Sequence, residues 1–197
     1  MTQMYQAQQK SPPGITVRAN LWIVVPIGAL IAAVATHNLV ALNYVHVFTA
    51  ILWTGTDIFM GFVLGPILRN VSMATRKDII SWLMPKMIFY MTTVSSVTTT
   101  AGYFLASQMG LFTFTPPLGY WIVGIVVIVV IMLIQGLGLI LPINLKVYFE
   151  LRKSEPDYAR ISRLMRMYVM IVASQAVMQF AVIFLMAHLA TGTMTIF

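Results

Sequence analysis

Cysteine is absent from this 197-residue chain. Its absence excludes a disulfide, a thiolate metal site, an iron–sulfur cluster and a covalently attached c-type haem. Charge is nearly as scarce: 9% of the residues are charged and 59% are hydrophobic, whereas about a quarter of an ordinary soluble domain is charged. The natural solvent of such a chain is lipid. Twelve basic residues against five acidic ones leave a net charge of +7, which in a soluble protein would point to nucleic acid. Here the basic residues sit in short segments between long apolar runs, so the excess reads as topology and contact with anionic lipid, with no nucleic-acid partner. There is no Walker-type phosphate loop, nucleophile elbow, metalloprotease helix or dinucleotide fingerprint. Any catalysis, such as that of a membrane oxidoreductase component, would rest on a bound cofactor. No internal repeat supports the two-halves architecture of many secondary transporters.

What is present is a series of apolar runs. Residues 1–20 are polar, carry Lys10 and Arg18, and contain the breaker Ser11-Pro12-Pro13-Gly14, which predicts a cytoplasmic tail. The first run, Leu21 to Ala35, ends in Ala33-Val34-Ala35, an imitation of a signal-peptidase site behind a basic leader, and is read as a retained span. Four more follow, at Leu39 to Leu68, Ile79 to Met109, Leu118 to Leu145 and Leu164 to Leu189. Each exceeds the roughly 20 residues that cross a bilayer. The expected fold is all-α: an integral, multi-pass helical bundle of the cell membrane with five transmembrane helices over 21–189 and a short outer tail over 190–197. Placing the amino terminus inside puts every Lys and Arg at cytoplasmic ends or loops and the carboxyl terminus outside, a complete positive-inside asymmetry. Pro66 and Pro142 are expected to end or kink their helices. Glycines 61, 65, 124, 136 and 138 allow close helix contacts.

The same topology aligns the helices in depth. The chain has three histidines, His37, His46 and His188, and all fall toward the outer face. Counted from the basic ends, His46 lies about 34 Å above Arg69 and His188 about 33 Å above Arg166. Two imidazoles at one depth on separate spans is what a six-coordinate haem b or a small metal site requires, with His37 slightly farther out. Methionine is abundant, with fifteen in the chain, and thioethers favour Cu(I). Met84, Met87 and Met91 have helical spacing but lie toward the inner end, so Met109 and Met186 are the candidates near the outer level.

His46 also belongs to the pattern His46-x6-Trp53-x-Gly55, followed by Gly65-Pro66-Ile67-Leu68-Arg69, Leu83-Met84-Pro85-Lys86 and Thr100-Ala101-Gly102-Tyr103. These segments resemble the copper-resistance-D-type membrane proteins and the related membrane protoporphyrinogen oxidases. The likeness covers the second and third runs, under half of the chain. It implies a helical bundle in which His46 binds b-type haem or takes part in copper handling. His188 as a second ligand rests on depth alone.

A second polar level lies deeper. Asp57 falls about 18 Å above Arg69, near the bilayer centre, where a carboxylate is costly. It is expected to face the bundle interior, to be protonated or paired, and to mark a proton or ion path. Gln135, Ser174, Gln175, Gln179 and a group of threonines and serines share its depth. Asp57 and His46 are eleven residues apart, about three turns, so with Trp53 they project from nearly one face. Three functions follow as expectations. The first is a haem b protein of electron transfer, with His46, His188 and Trp53 at the haem and a possible quinone as partner. The second is copper or proton translocation through Asp57, Gln135 and Gln175. The third is a cofactor-free accessory subunit of a larger membrane complex, a role in which, as in the others, the chain is a homo-oligomer or one subunit among several.

Overall fold

The computed structural model describes residues 14–192 except 114 and 117. Lys10, Ser11, Pro12, Pro13, Pro117 and the carboxyl-terminal residues beyond 192 lie outside the described residues. Those described are helical, with no strand among them. A short 3-10 segment, Val17–Ile23, feeds α1 (Val24–Ala35), so the helix begins before the first apolar run does. The chain turns back through Thr36, His37 and Asn38 into α2 (Leu39–Ile58). Asn38 caps α2 by accepting a hydrogen bond from the Ala41 N–H at 2.9 Å. A π-helical turn, Phe59–Leu64, joins α2 to α3 (Gly65–Asn70). Ser72 then caps α4 (Met73–Gln108), accepting from the Thr75 N–H. After the loop, α5 (Leu118–Leu133), a second π turn (Ile134–Ile140) and α6 (Leu141–Leu151) form one long rod. Asp157 caps the last helix, α7 (Tyr158–Thr191), which ends on Gly192 at φ 68°.

Both π turns stand directly before a proline near the start of the next segment, Pro66 or Pro142. The ring removes one backbone donor and crowds the carbonyl four residues back. A widened turn relieves that crowding without breaking the rod. The kinks expected at these prolines therefore take the form of locally wide helix. Of the five glycines expected to bring helices together, only Gly136 meets another helix, with the Gln175 amide 3.7 Å from where its Cβ would lie. The tight contact is at Gly102 instead.

Among the described residues four rods are long and apolar enough to cross a membrane: Val17–Ala35, Leu39–Asn70, Leu118–Leu151 and Tyr158–Thr191. The remaining long helix, α4, is rich in Thr and Ser and shares the largest interface of the bundle with α2. The distribution of polarity suits lipid. Val40 and Phe62 are about 80% exposed (81% and 80%), while Asp57, Thr98, Asn144, Gln175 and Gln179 are buried. Three apolar layers hold the rods together. Leu42, Val45, Val97 and Ala101 pack at the histidine end, Trp53, Val94 and Met132 at mid-height, and Met84, Ile88, Ile143, Val147 and Tyr148 at the basic end. With apolar solvent outside, such layers act through close packing rather than water exclusion.

Candidate functional site

One face of α2 carries the polar groups that matter most. Asp57, Trp53, Thr49 and His46 succeed one another at spacings of four, four and three residues, which keeps them on a single helical stripe. Asp57 is 7% exposed, and its Oδ2 accepts a hydrogen bond from the Gln179 amide of α7 at 2.8 Å. The Trp53 indole, one turn along, lies beside the same carboxyl. A buried carboxyl with two polar partners is held in place. The Gln179 Oε1 on the far side of that amide is buried with no hydrogen-bond partner, as is Gln135 Oε1. Orphaned acceptors of this kind are places where water or a donor ligand belongs.

Beneath Asp57 lies a cavity of about 110 Å³ that runs from Leu68 and Ile80, near the basic end, to Trp53 and Ser95. Drug-sized ligands need about 300 Å³ or more, and one water needs about 10–15 Å³. The space suits a short file of waters or a small ion. Asn144, Tyr168 and Gln175 line it, and so do the thioethers of Met84, Met87 and Met91. Met60, Gly136, Leu137 and Ile140, all from the two π turns, complete its wall. Both widened helices thus face the same cavity, and π turns recur at functional sites.

Above Asp57 the polar stripe continues at the α2–α4 interface. Thr98 Oγ1 lies 2.8 Å from Thr49 Oγ1, both buried. His46 follows, with its Nδ1–H donating to the Thr98 carbonyl at 2.8 Å. A carbonyl can only accept, so this bond fixes the tautomer and leaves Nε2 as an acceptor or ligand atom. The ring occupies the space over Gly102. A Cβ on that residue would lie 2.7 Å from the imidazole Cε1.

The other predicted site residues fall elsewhere. His188 donates its Nδ1–H to the Phe184 carbonyl of its own helix at 2.9 Å, and its ring stacks on Trp121 at 5.1 Å. It therefore belongs to the α5–α7 interface, whereas His46 belongs to α2–α4. His37 is exposed in the α1–α2 turn, at φ 50°. Among the described residues no three His, Asp or Glu side chains gather as a metal cluster. The mid-depth glutamines do bridge helices: Gln175 donates to the Met132 carbonyl at 2.9 Å, and Gln135 to Ser174 Oγ at 3.3 Å. Asn144 and Tyr168 carried no expectation from the sequence, although Asn144 had a signal, a lone amide two residues after Pro142 in an apolar run. Gly102 stood in the Thr100-Ala101-Gly102-Tyr103 segment, but the imidazole across the interface from it was not foreseen. The chain matches no protein-family model, and no curated protein or solved structure is significantly similar to it.

Proposed function

We propose that this protein moves protons across a membrane along the buried face of α2, from the cavity at the basic end through Asp57 to Thr49, Thr98 and His46. The observation that carries the reading is the buried Asp57 carboxyl on the wall of a cavity small enough for water, with the buried Gln179 Oε1 lacking a hydrogen-bond partner beside it. An intramembrane carboxylate is expensive and is retained where it works. Above it, two hydroxyls and an imidazole whose Nε2 is an acceptor continue the line of exchangeable groups. In this reading α4 is a fifth span, the amino terminus is cytoplasmic and the carboxyl terminus lies outside. Its Thr and Ser content is then the polar lining of the path. Purified protein in liposomes, driven by a potassium diffusion potential and read with an entrapped pH dye, tests the proposal. Asp57→Asn should abolish flux while keeping the Gln179 contact and the fold. Equal flux in the variant and the parent protein would refute it.

A second reading is favoured by one specific feature, the pinned Nδ1 of His46. A histidine whose other nitrogen bonds a backbone carbonyl is oriented as metal-binding histidines are, and this supports haem b or copper at Nε2. Use of His188 as a second ligand would require it to leave Trp121. An absorbance band lost on His46→Ala, in protein expressed with adequate haem, would favour haem. A flux of Cu(I) that exceeds the proton flux would favour copper as cargo, with the cavity thioethers as its soft ligands.

A further inference from the structure

The basic end of the bundle holds a crevice of about 430 Å³ that the path through Asp57 does not use. Its mouth carries Lys146, Lys153 and Arg160, and its wall is Pro142, Leu145 and Phe149. One carboxylate, Glu150, organises it. Glu150 is buried, and its Oε2 pairs with Lys153 Nζ at 2.9 Å and Arg160 Nη1 at 3.3 Å, across the α6–α7 turn. Its other oxygen accepts the Asp157 N–H at 3.3 Å. Asp157 in turn caps α7 through the Arg160 N–H at 2.9 Å. Lys146, exposed one turn before Glu150, has no ion pair among the described residues. Three cations and one carboxylate thus line the crevice, and both ion-paired cations remain about half exposed (53% each) with donors to spare.

The volume lies within the range of small-ligand sites. The chemistry is amphipathic: a fixed cationic mouth opens onto an apolar wall, and Phe149 is 61% exposed along it. A free inorganic anion would use the cations and waste the wall. Basic pockets between helices at the membrane surface suit the head groups of anionic lipids. We propose that this crevice is a binding site for one anionic phospholipid. Lys146, Lys153 and Arg160 hold the phosphate, and an acyl chain lies along Leu145 and Phe149. Glu150 is a positioning residue that sets the two cations before the lipid arrives.

The test uses the full chain purified in a neutral detergent, with thermal unfolding followed as phosphatidylglycerol, phosphatidylcholine or inorganic phosphate is added. Phosphatidylglycerol should raise the midpoint saturably, and the other two should not. Lys146→Gln, which removes no internal bond, should leave the lipid-free midpoint unchanged and cut the shift by at least half. Lys77→Gln, at the same end but outside the crevice, should keep the full shift. Equal shifts with phosphatidylcholine or with inorganic phosphate would overturn the proposal. So would equal losses in the two lysine variants, which would mean diffuse surface attraction instead of a site.

Discussion

Gly102→Ala tests the contact on which both readings of His46 depend. In a helix interior the change should stabilise by about 1 kcal/mol, because alanine is the better helix former. The α2–α4 interface reverses that sign. The new methyl would lie 2.7 Å from His46 Cε1 and 3.0 Å from Nδ1, where carbon contacts normally settle at about 3.5–4.0 Å. The ring must retreat by about 1 Å. It is not free to do so cheaply, since Nδ1 is bonded to the Thr98 carbonyl at 2.8 Å. Losing that bond costs about 1 kcal/mol and overpacking another 1–3 kcal/mol. Against the propensity gain, the net loss is about 1–3 kcal/mol. For a chain of this size that is a fall in midpoint of about 2–4 °C per kcal/mol. In a His46→Ala background the obstacle is gone, and Gly102→Ala should stabilise by the intrinsic amount. A four-protein cycle of thermal unfolding in one detergent therefore predicts a change of sign and a coupling of about 2–4 kcal/mol. Gly102→Ala that stabilises the parent protein would refute the placement of the imidazole.

Two further substitutions probe the polar interior. Gln179→Leu removes the amide that bonds Asp57 Oδ2; it should destabilise by about 2 kcal/mol, as a buried acceptor left bare does, and Asp57→Leu in the same chain should recover part of the loss in chemical denaturation. Thr98→Val removes the hydroxyl facing Thr49 but not the backbone carbonyl used by His46; it should cost only about 0.6 kcal/mol, the usual worth of a hydrogen bond between membrane helices, while slowing proton flux if the hydroxyl lies on the path.

The proline turns were legible because their chemistry is local. Pro66 and Pro142 each follow a widened turn, whereas α4 and α7 begin at Met73 and Tyr158, well ahead of the apolar runs that start at Ile79 and Leu164, behind the caps Ser72 and Asp157. Depth was legible too. Counting from the basic ends put Asp57 and Gln179 at one height, and they are bonded. Azimuth was not. Equal height says nothing about which neighbour a side chain faces, and so His46 and His188, level in the count, belong to different interfaces. Nor could spacing show that two prolines on separate rods would widen their helices toward one cavity.

The methionines show how the missing coordinate changes an inference. Met84, Met87 and Met91 sit toward the basic end of their helix, far in sequence from any histidine, and on that ground they look like packing. In the bundle they line the approach to Asp57. Thioethers supply weak acceptors and no charge, so a wall built from them neither repels a cation nor holds it strongly. It also adapts its shape easily, since methionine is unbranched and flexible. A passage has to let its cargo leave as readily as it enters. For the proton path proposed above, one strong group, Asp57, on the cavity wall is then enough, and a ring of further carboxylates would slow transport by trapping the cargo.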